Sequence, residues 1–233
     1  MGTSICIASG KGGVGKSTIA VNLGVALSRM GVDSIVVDGD VEGTSIGSLI
    51  GANPSVPSIH DCLSGELDVE DAIINLNGTN FVVGGLEIEK LMGVDMSLFE
   101  DIINKLMERF EIVIVDCPPG LGVDSVNVIS SCVAMLLVVT PDITSMINAL
   151  KTVVLAEKVG CTIIGTLVNK SSSEYDIPDA QISRVLRIET VGRLSEDEDV
   201  KKALSIGEPL VTYNPKSQFS LELENVASSL VGK

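Results

Sequence analysis

The sequence predicts an α/β fold: a three-layer, doubly wound and mostly parallel β-sheet with helices on both faces. Short runs rich in Val and Ile alternate with helical patterns along the chain, which is the order that βαβ units produce. Hydrophobic residues make up 45% of the chain and aromatic residues only 3%, as expected for β-branched strands covered by helices. No linker divides the 233 residues, so 1–233 is predicted to be a single domain.

The predicted elements follow one another without an internal repeat or a low-complexity segment. Strands are predicted at 3–9, 34–40, 80–85, 111–118, 134–141, 162–170 and 189–194. Helices are predicted at 17–30, 69–75, 97–109, 123–131, 145–159, 178–187, 198–206 and 217–231. Segment 48–61 carries two prolines and is predicted to be a loop, and the acidic run 196–199 is predicted to cap the helix after it.

Charge and cysteine usage narrow the classes of function. A formal net charge of −15 argues against sequence-independent binding to DNA or anionic lipid, because both need a basic surface. The five cysteines form no CxxC pair, which favours buried thiols in a reducing compartment over a zinc site or disulfides. Met1 leads almost directly into a strand and the most apolar run, 133–139, is too short to span a bilayer. We therefore expect a soluble, cytoplasmic protein.

A phosphate-binding loop is predicted between the first strand and the first helix, where Gly10 to Ser17 match G-x-x-x-x-G-K-[ST]. Glycines let backbone N–H groups converge on phosphate oxygens, and the helix adds the positive end of its dipole. Lys16 is expected to bridge the β- and γ-phosphates, Ser17 to coordinate Mg²⁺ and Thr18 to bond the α-phosphate. The predicted nucleotide contacts in this loop are Gly10, Lys11, Gly12, Gly13, Val14, Gly15, Lys16, Ser17 and Thr18.

A second lysine, Lys11, lies on the rim of this loop, where the motif does not require a cation. One interpretation is a solvated lysine. The other is a cation aimed at a phosphate, either of its own subunit or of a facing one. In the second case it would act like an arginine finger, which can raise the rate by about 10³ or more.

Polar residues end several predicted strands, at the edge where open α/β sheets bind their ligands. Asp38 and Asp40 follow the second strand, and Asp116 ends the run Ile-Val-Ile-Val-Asp. We expect Asp38 to lie at the nucleotide and Ser17, Asp40 and Asp116 to form the Mg²⁺ site, with Asp116 acting through water. Asn169 also ends a strand, where its amide can donate to and accept from a base.

The segment Lys-Gly-Gly-Val-Gly-Lys-Ser-Thr, 11–18, resembles the deviant Walker A signature of the MinD/ParA class of P-loop ATPases. The resemblance is greatest to archaeal-type MinD proteins, regulators of septum-site choice in cell division. It continues through 36–40, 60–73, 112–122, 138–145, 167–170 and 207–213, and so covers nearly the whole chain.

The resemblance implies a P-loop NTPase fold of the SIMIBI type with ATP and Mg²⁺ as cofactors. It also implies an ATP-dependent homodimer in which Lys11 crosses to the partner's nucleotide. In the family pattern Asp40 belongs to switch I and positions the attacking water, 118–122 forms switch II, and Asn169 contacts adenine.

The sequence departs from the family pattern at three places. Ser45 replaces the usual switch I asparagine, and Leu194-Ser195 replaces the usual Ile-Pro. The C-terminal helix carries an apolar stripe that is predicted to dock on the domain, because its polar side has Glu222 and Glu224 where a lipid-binding helix would be basic. That stripe consists of Phe219, Leu223, Val226 and Leu230. Any contact with a membrane is expected to be indirect, through another protein.

The predicted function is an ATP-dependent dimerising switch ATPase that acts, through an unidentified protein partner, in spatial regulation of division or in positioning another assembly. The main alternative is a metal-centre maturation or electron-transfer ATPase that uses Cys117 or Cys132. A non-catalytic nucleotide-binding scaffold and a DNA-partitioning ATPase are further alternatives. His60, the only histidine, is expected to begin a helix or face solvent rather than to do chemistry.

Overall fold

A computed structural model describes residues 1–87, 90, 93–172 and 174–232, and it shows an eight-stranded sheet in that part of the chain. The strands are β1 (Thr3–Ala8), β2 (Ser34–Asp38), β3 (Ile74–Leu76), β4 (Thr79–Val82), β5 (Ile112–Asp116), β6 (Ala134–Val139), β7 (Thr162–Ser171) and β8 (Thr190–Ser195). They lie in the order β3-β4-β2-β5-β1-β6-β7-β8. All neighbouring pairs are parallel except β3 and β4, which confirms the predicted mostly parallel sheet.

The α-helices of the described residues are α1 (Lys16–Arg29), α2 (Ile46–Leu49), α3 (Ile59–Leu63), α4 (Phe99–Arg109), α5 (Val123–Ser130), α6 (Ile143–Val159), α7 (Asp179–Leu186), α8 (Glu198–Ser205), α9 (Leu210–Tyr213) and α10 (Gln218–Leu230). Short 3₁₀ turns occur at Val69–Ala72 and Met96–Leu98. None of these helices is long and apolar enough to cross a membrane.

The helices cover both faces of the sheet, which confirms the three-layer prediction. Alternation along β1 sends Cys6 and Ala8 into a core shared with α3 to α7, and Ile5 and Ile7 into a core shared with α1, α2 and α8 to α10. The apolar stripe of the C-terminal helix, α10, docks on the domain as predicted. Phe219, Leu223 and Val226 are buried in the core that contains Ile5 and Ile7, and Leu230 packs against that core.

The predicted helix at 69–75 is wrong. A 3₁₀ turn at Val69–Ala72 is followed by β3, which runs antiparallel to β4. The two strands are joined through Asn77 and Gly78, which have φ values of 52° and 88°. Asn-Gly with positive φ at both residues is the preferred two-residue hairpin turn, so the sequence contained the signal and the helical pattern misled.

The predicted loop at 48–61 is also wrong in part, since it contains the end of α2 and the start of α3. A capping box begins α3: the backbone N–H and the hydroxyl of Ser58 both donate to Oδ2 of Asp61, at 2.8 and 2.7 Å. The acidic cap predicted at 196–199 is confirmed, because Asp197 accepts from the N–H of Asp199 and begins α8.

Close contact between α1 and β2 gives a test of the packing. A Cβ at Gly24 would lie 2.1 Å from Cγ2 of Val36. We expect Gly24→Ala to lower the free energy of unfolding by about 1–3 kcal/mol in urea denaturation, because α1 and β2 must move apart to make room for the added methyl group. Gly47→Ala in α2 is the control, since its Cβ would meet nothing closer than 3.8 Å. Equal stability of Gly24→Ala and wild type would contradict this packing.

Candidate active site

A cavity of about 460 Å³ opens where the loop after β1 meets the ends of β7 and β8. Its size is that of a site for a small ligand. The first group of lining residues comes from the phosphate loop and the segment after β2: Gly13, Gly15, Lys16, Ser17, Thr18, Ser45 and Leu49. The second group comes from the C-terminal part of the chain: Asn169, Lys170, Ser195, Glu196, Asp197, Val200, Lys201, Leu204 and Phe219. In this second group Asn169 was predicted to bind the nucleotide, and Ser195 was noted as a departure from the family pattern. The other residues were not predicted as site residues, because they come from segments distant in sequence.

The phosphate loop turns into α1 at Gly15, which has a φ of 97°. A Cβ at Gly15 would lie 2.4 Å from Nδ2 of Asn169, so only glycine fits. Lys16 is the first residue of α1 and is largely buried. The loop therefore brings backbone N–H groups, a helix N-terminus and a shielded cation together, which is an arrangement that binds phosphate.

Two side chains hold this loop from the end of β7. Nδ2 of Asn169 donates to the carbonyl of Val14 at 2.7 Å, and Nζ of Lys170 donates to the carbonyl of Gly13 at 2.7 Å. Because the C=O and N–H of a peptide unit point in opposite directions, these bonds also fix the N–H groups of Val14 and Gly15. The bond of Asn169 leaves its Oδ1 to accept from a base, so the predicted adenine contact stays a prediction. This role of Lys170 was not predictable from sequence, because Gly13 is distant from it along the chain.

The predicted carboxylates divide into two kinds. Asp38 and Asp116 lie opposite each other at the ends of β2 and β5, and both are fully buried. Asp38 accepts three backbone N–H groups, from Asp40, Ser45 and Ile46, each at 3.2 Å. Asp38 therefore braces the loop after β2, and its predicted contact with nucleotide stays a prediction.

Asp116 has no hydrogen-bond partner at either carboxylate oxygen within the described part of the chain. Buried polar atoms normally have partners, so two free oxygens on one carboxyl at this edge of the sheet are available to a ligand. A hydrated Mg²⁺ fits this requirement, and Ser17 is near enough to act on the same carboxyl. The predicted Mg²⁺ site of Ser17, Asp40 and Asp116 as a set of three stays a prediction.

Burial dominates the electrostatics of this pair. Burial raises the pKa of Asp116 to about 8, the neighbouring charge of Asp38 raises it further, and Ser17 and Lys16 offset part of the rise. Burial also raises the pKa of Asp38 to about 7, against the effect of its three N–H donors. In the absence of metal, both carboxyls therefore hold protons at a pH where exposed aspartates are ionised.

Asp40 and Lys11 lie outside the main cavity. Asp40 is half-buried, accepts from the N–H of Gly43 at 2.9 Å, and faces Pro118 and Pro119 across a depression of about 300 Å³. Nζ of Lys11 lies 3.7 Å from Oδ2 of Asp142 in the same chain, and its side chain is 39% exposed. The sequence-based role of Lys11 toward a phosphate stays a prediction.

Three further residues of the phosphate loop were predicted to contact the nucleotide: Gly10, Gly12 and Val14. Val14 is buried in the core and its carbonyl is held by Asn169. A Cβ at Gly10 would lie 2.2 Å from the backbone of Asn148 in α6, so a side chain has no room there. Gly12 packs near Pro119, since its Cβ would lie 3.6 Å from Cβ of that proline.

Two of the three departures from the family pattern, Ser195 and Ser45, line the cavity. The backbone N–H and hydroxyl of Ser195 donate to Glu222 of α10, at 2.7 and 3.0 Å. Glu222, assigned from sequence only to the polar side of the last helix, thus helps to shape the cavity. The hydroxyl of Ser45 is buried, lines the cavity and lacks a partner among the described residues.

Cysteines and histidine are placed in the interior. All five cysteines are free and buried, as predicted, and Cys117 and Cys132 belong to the core between the sheet and α3 to α7. Across the described ranges, no group of three or more His, Cys, Asp or Glu side chains could hold a metal ion. His60 lies in α3, as one expectation had it, but it does not face solvent: it is 1% exposed.

The raised pKa values predict how stability depends on pH without metal. Between about pH 4 and pH 8 the folded protein binds more protons at Asp38 and Asp116 than the unfolded chain does, so these groups make stability fall as pH rises. Relative to wild type in EDTA, Asp116→Asn should gain stability with rising pH, by at most about 1.4 kcal/mol per pH unit. Urea unfolding at several pH values measures this difference, and a difference independent of pH would contradict the assignment.

Lys170 is predicted to matter through the phosphate loop. Lys170→Gly suits the φ of 58° at this position but removes the bond to Gly13, so ATP and tripolyphosphate should both bind about tenfold more weakly by calorimetry. Lys170→Arg, which keeps a donor, should retain most of the affinity. Lys201→Ala, at the same cavity, is the control. Loss of affinity for adenosine without loss for tripolyphosphate would show instead that Lys170 contacts the base.

Comparison with known proteins agrees with this geometry. A ParA family model, described as a NUBPL iron-transfer P-loop NTPase, matches residues 1–231. An uncharacterized ATP-binding protein of Methanocaldococcus jannaschii is 34% identical over 234 residues, which are 100% of this chain and 89% of that protein. The cell division ATPase MinD of Pyrococcus furiosus superposes with a TM-score of 0.95 at 31% identity, over 100% of this chain and 99% of that one. The septum site-determining protein MinD of Pyrococcus horikoshii, solved with Mg-ADP, gives 0.94 at 29% identity, over 99% and 96%. The chain belongs to the MinD/ParA family of P-loop NTPases.

Proposed function

We propose that this protein is an ATP-dependent switch ATPase of the MinD type, which binds ATP with Mg²⁺, dimerises, and hydrolyses the ATP to separate again. Its cellular use is spatial regulation of division or the positioning of another assembly, through a protein partner. The observation that carries the proposal is the buried Asp116, which has no hydrogen-bond partner among the residues that the structure describes and lies beside Lys16 and Ser17 at the start of α1. A buried carboxylate in that position fits the hydrated metal of a nucleoside triphosphate.

Each residue has a defined task in this proposal. When bound, Mg²⁺ would neutralise negative charge on the phosphates. Ser17, Asp40 and Asp116 would hold the ion, and Lys16 would contact the β- and γ-phosphates from its shielded position. Asp40 also orients water from the loop after β2, where it faces switch II across the depression at Pro118 and Pro119. Asn169 offers Oδ1 to the adenine amino group.

Dimerisation is supported by the surface around Lys11. Lys11 is paired with Asp142, the residue that caps α6, and it lies next to Gly12, which packs near Pro119 of switch II. Both neighbouring segments expose apolar side chains: Leu121 and Val123 after Pro119, and Ile143 and Ile147 in α6. A face that combines exposed apolar groups with a partly exposed, weakly paired cation is suited to a second subunit carrying a nucleotide.

The alternatives have less support. The iron-transfer wording of the family description is the one finding that favours a metal-centre ATPase, and Cys117 and Cys132 are buried in the core rather than placed on a surface. A DNA-partitioning role needs a basic surface, whereas the chain has 31 acidic and 16 basic residues. A non-catalytic scaffold would not need Lys11 and Asp40 in addition to the phosphate loop.

Substitutions of Lys11 and Lys16 test the proposed function. Lys11→Ala should bind ATP about as tightly as wild type but form no ATP-dependent dimers in light scattering, and phosphate release should fall by about 10³. Lys16→Ala should lose ATP binding itself. Lys158→Ala, an exposed lysine in the last turn of α6, is the charge-matched control and should behave like wild type. Full hydrolysis by Lys11→Ala would refute the proposed action of this lysine on the partner's nucleotide.

A further inference from the structure

The chain's single histidine makes two defined hydrogen bonds in the interior. Nε2 of His60 lies 2.8 Å from the carbonyl oxygen of Val41, and the backbone N–H of Gly85 lies 2.9 Å from Nδ1. A backbone N–H can only donate and a carbonyl can only accept. Nδ1 is therefore the acceptor, and Nε2 carries the proton and donates to Val41.

These bonds join two loops that end neighbouring strands. Val41 follows Asp40 in the loop after β2, Gly85 lies after β4, and β2 and β4 pair in parallel. The ring of His60 thus stands between the two loops, on a helix, α3, that belongs to neither. Its own helix does not need these bonds, because α3 is begun by the capping box of Ser58 and Asp61.

The loop after β2 is held at three points. Asp38 accepts the N–H groups of Asp40, Ser45 and Ile46 from one side. Gly84 is packed so closely against the loop that a Cβ there would lie 2.1 Å from Cγ2 of Thr44. His60 supplies the third point at Val41. The carboxylate of Asp40 bonds within its own loop, to the N–H of Gly43, so its position depends on the backbone around it.

We propose that His60 is a positioning residue of the ATPase site, which holds the carbonyl of Val41 and thereby places Asp40 opposite switch II. This inference rests on the proposed function. A side chain that only filled the core would be apolar here, because burying two polar ring atoms costs free energy unless both are bonded. Both bonds of His60 go to loops at the ligand-binding edge of the sheet.

The two ring nitrogens can be tested separately. In His60→Gln the amide NH₂ takes the place of Nε2 and keeps the bond to Val41, whereas in His60→Asn the amide oxygen takes the place of Nδ1 and keeps the bond to Gly85. We expect His60→Asn to lower kcat for ATP by about 10–100-fold with little change in KM, since Asp40 is misplaced while the phosphate loop is intact. His60→Gln should keep kcat within about threefold of wild type.

Ser58→Ala is the matched control, because it weakens the start of α3 and leaves both bonds of the ring in place. It should lose thermal stability with kcat unchanged. Amide hydrogen exchange of residues 41–46 supplies a readout that needs no turnover: exchange should quicken in His60→Asn and stay near wild type in His60→Gln.

Equal kcat and equal exchange in the two His60 variants would overturn the proposal, as would a loss of kcat in Ser58→Ala as large as that in His60→Asn. If His60→Asn does not fold, His60→Gln decides: wild-type kcat and exchange support the proposal, and impaired values overturn it. If wild type itself fails to hydrolyse ATP, the proposed function fails, and the exchange of residues 41–46 still decides whether His60 holds the loop.

Discussion

Two carboxyl groups, Asp38 and Asp116, are buried side by side at the ends of β2 and β5, and the site is built around this juxtaposition. Burial raises the pKa of both carboxyls, and the neighbouring charge of Asp38 raises the pKa of Asp116 further. The protein stabilises the ionised form of only one of the two carboxyls with hydrogen bonds. Asp38 receives three backbone N–H groups, whereas Asp116 receives none from the described residues.

This asymmetry follows from the order of the strands. β2 and β5 are neighbours, and the chain leaves β2 through Gly39, whose N–H donates to the carbonyl of Asp116 at 2.9 Å. A Cβ at Gly39 would lie 2.6 Å from that same oxygen, so the loop after β2 can pass closely over the end of β5. The loop then folds back onto Asp38, and its backbone N–H groups bond to both oxygens of that carboxylate. Asp116 is left facing Lys16 and Ser17, where a divalent cation is the group that would compensate it.

Much of this was predictable from sequence, because the signals are local. The phosphate loop is a contiguous motif between a strand and a helix, and Asp38 and Asp116 end runs of β-branched residues. What sequence did not predict depends on contacts between distant segments. Lys170 reaches Gly13, Ser195 meets Glu222, and His60 meets Val41 and Gly85.

Local patterns also misled where two signals competed. Segment 69–75 has apolar spacing typical of a helix, yet the Asn77-Gly78 turn that follows it forces a hairpin. His60 lies at the start of a helix, as one of its two predictions had it, but the burial of its ring was not predicted, because its partners Val41 and Gly85 are distant in sequence. The hairpin and this burial were missed for one reason: the pairing of the sheet edge and of the loops above it is decided by residues beyond the window in which a pattern is seen.

The strength of the ion pair between Lys11 and Asp142 indicates whether Lys11 is free to contact the nucleotide of a second subunit. Its ion pair with Asp142 is 3.7 Å long and both side chains are nearly half exposed. An exposed pair of this kind contributes about 0–1 kcal/mol, because water screens the charges and the long lysine side chain loses freedom in forming it. A triphosphate presents several negative charges at a partly dehydrated site, where the attraction to a cation is stronger. The ion pair with Asp142 is therefore too weak to keep Lys11 from moving to the nucleotide of a second subunit. Lys16 is buried at the start of α1, so it has no comparable freedom to leave the nucleotide of its own subunit.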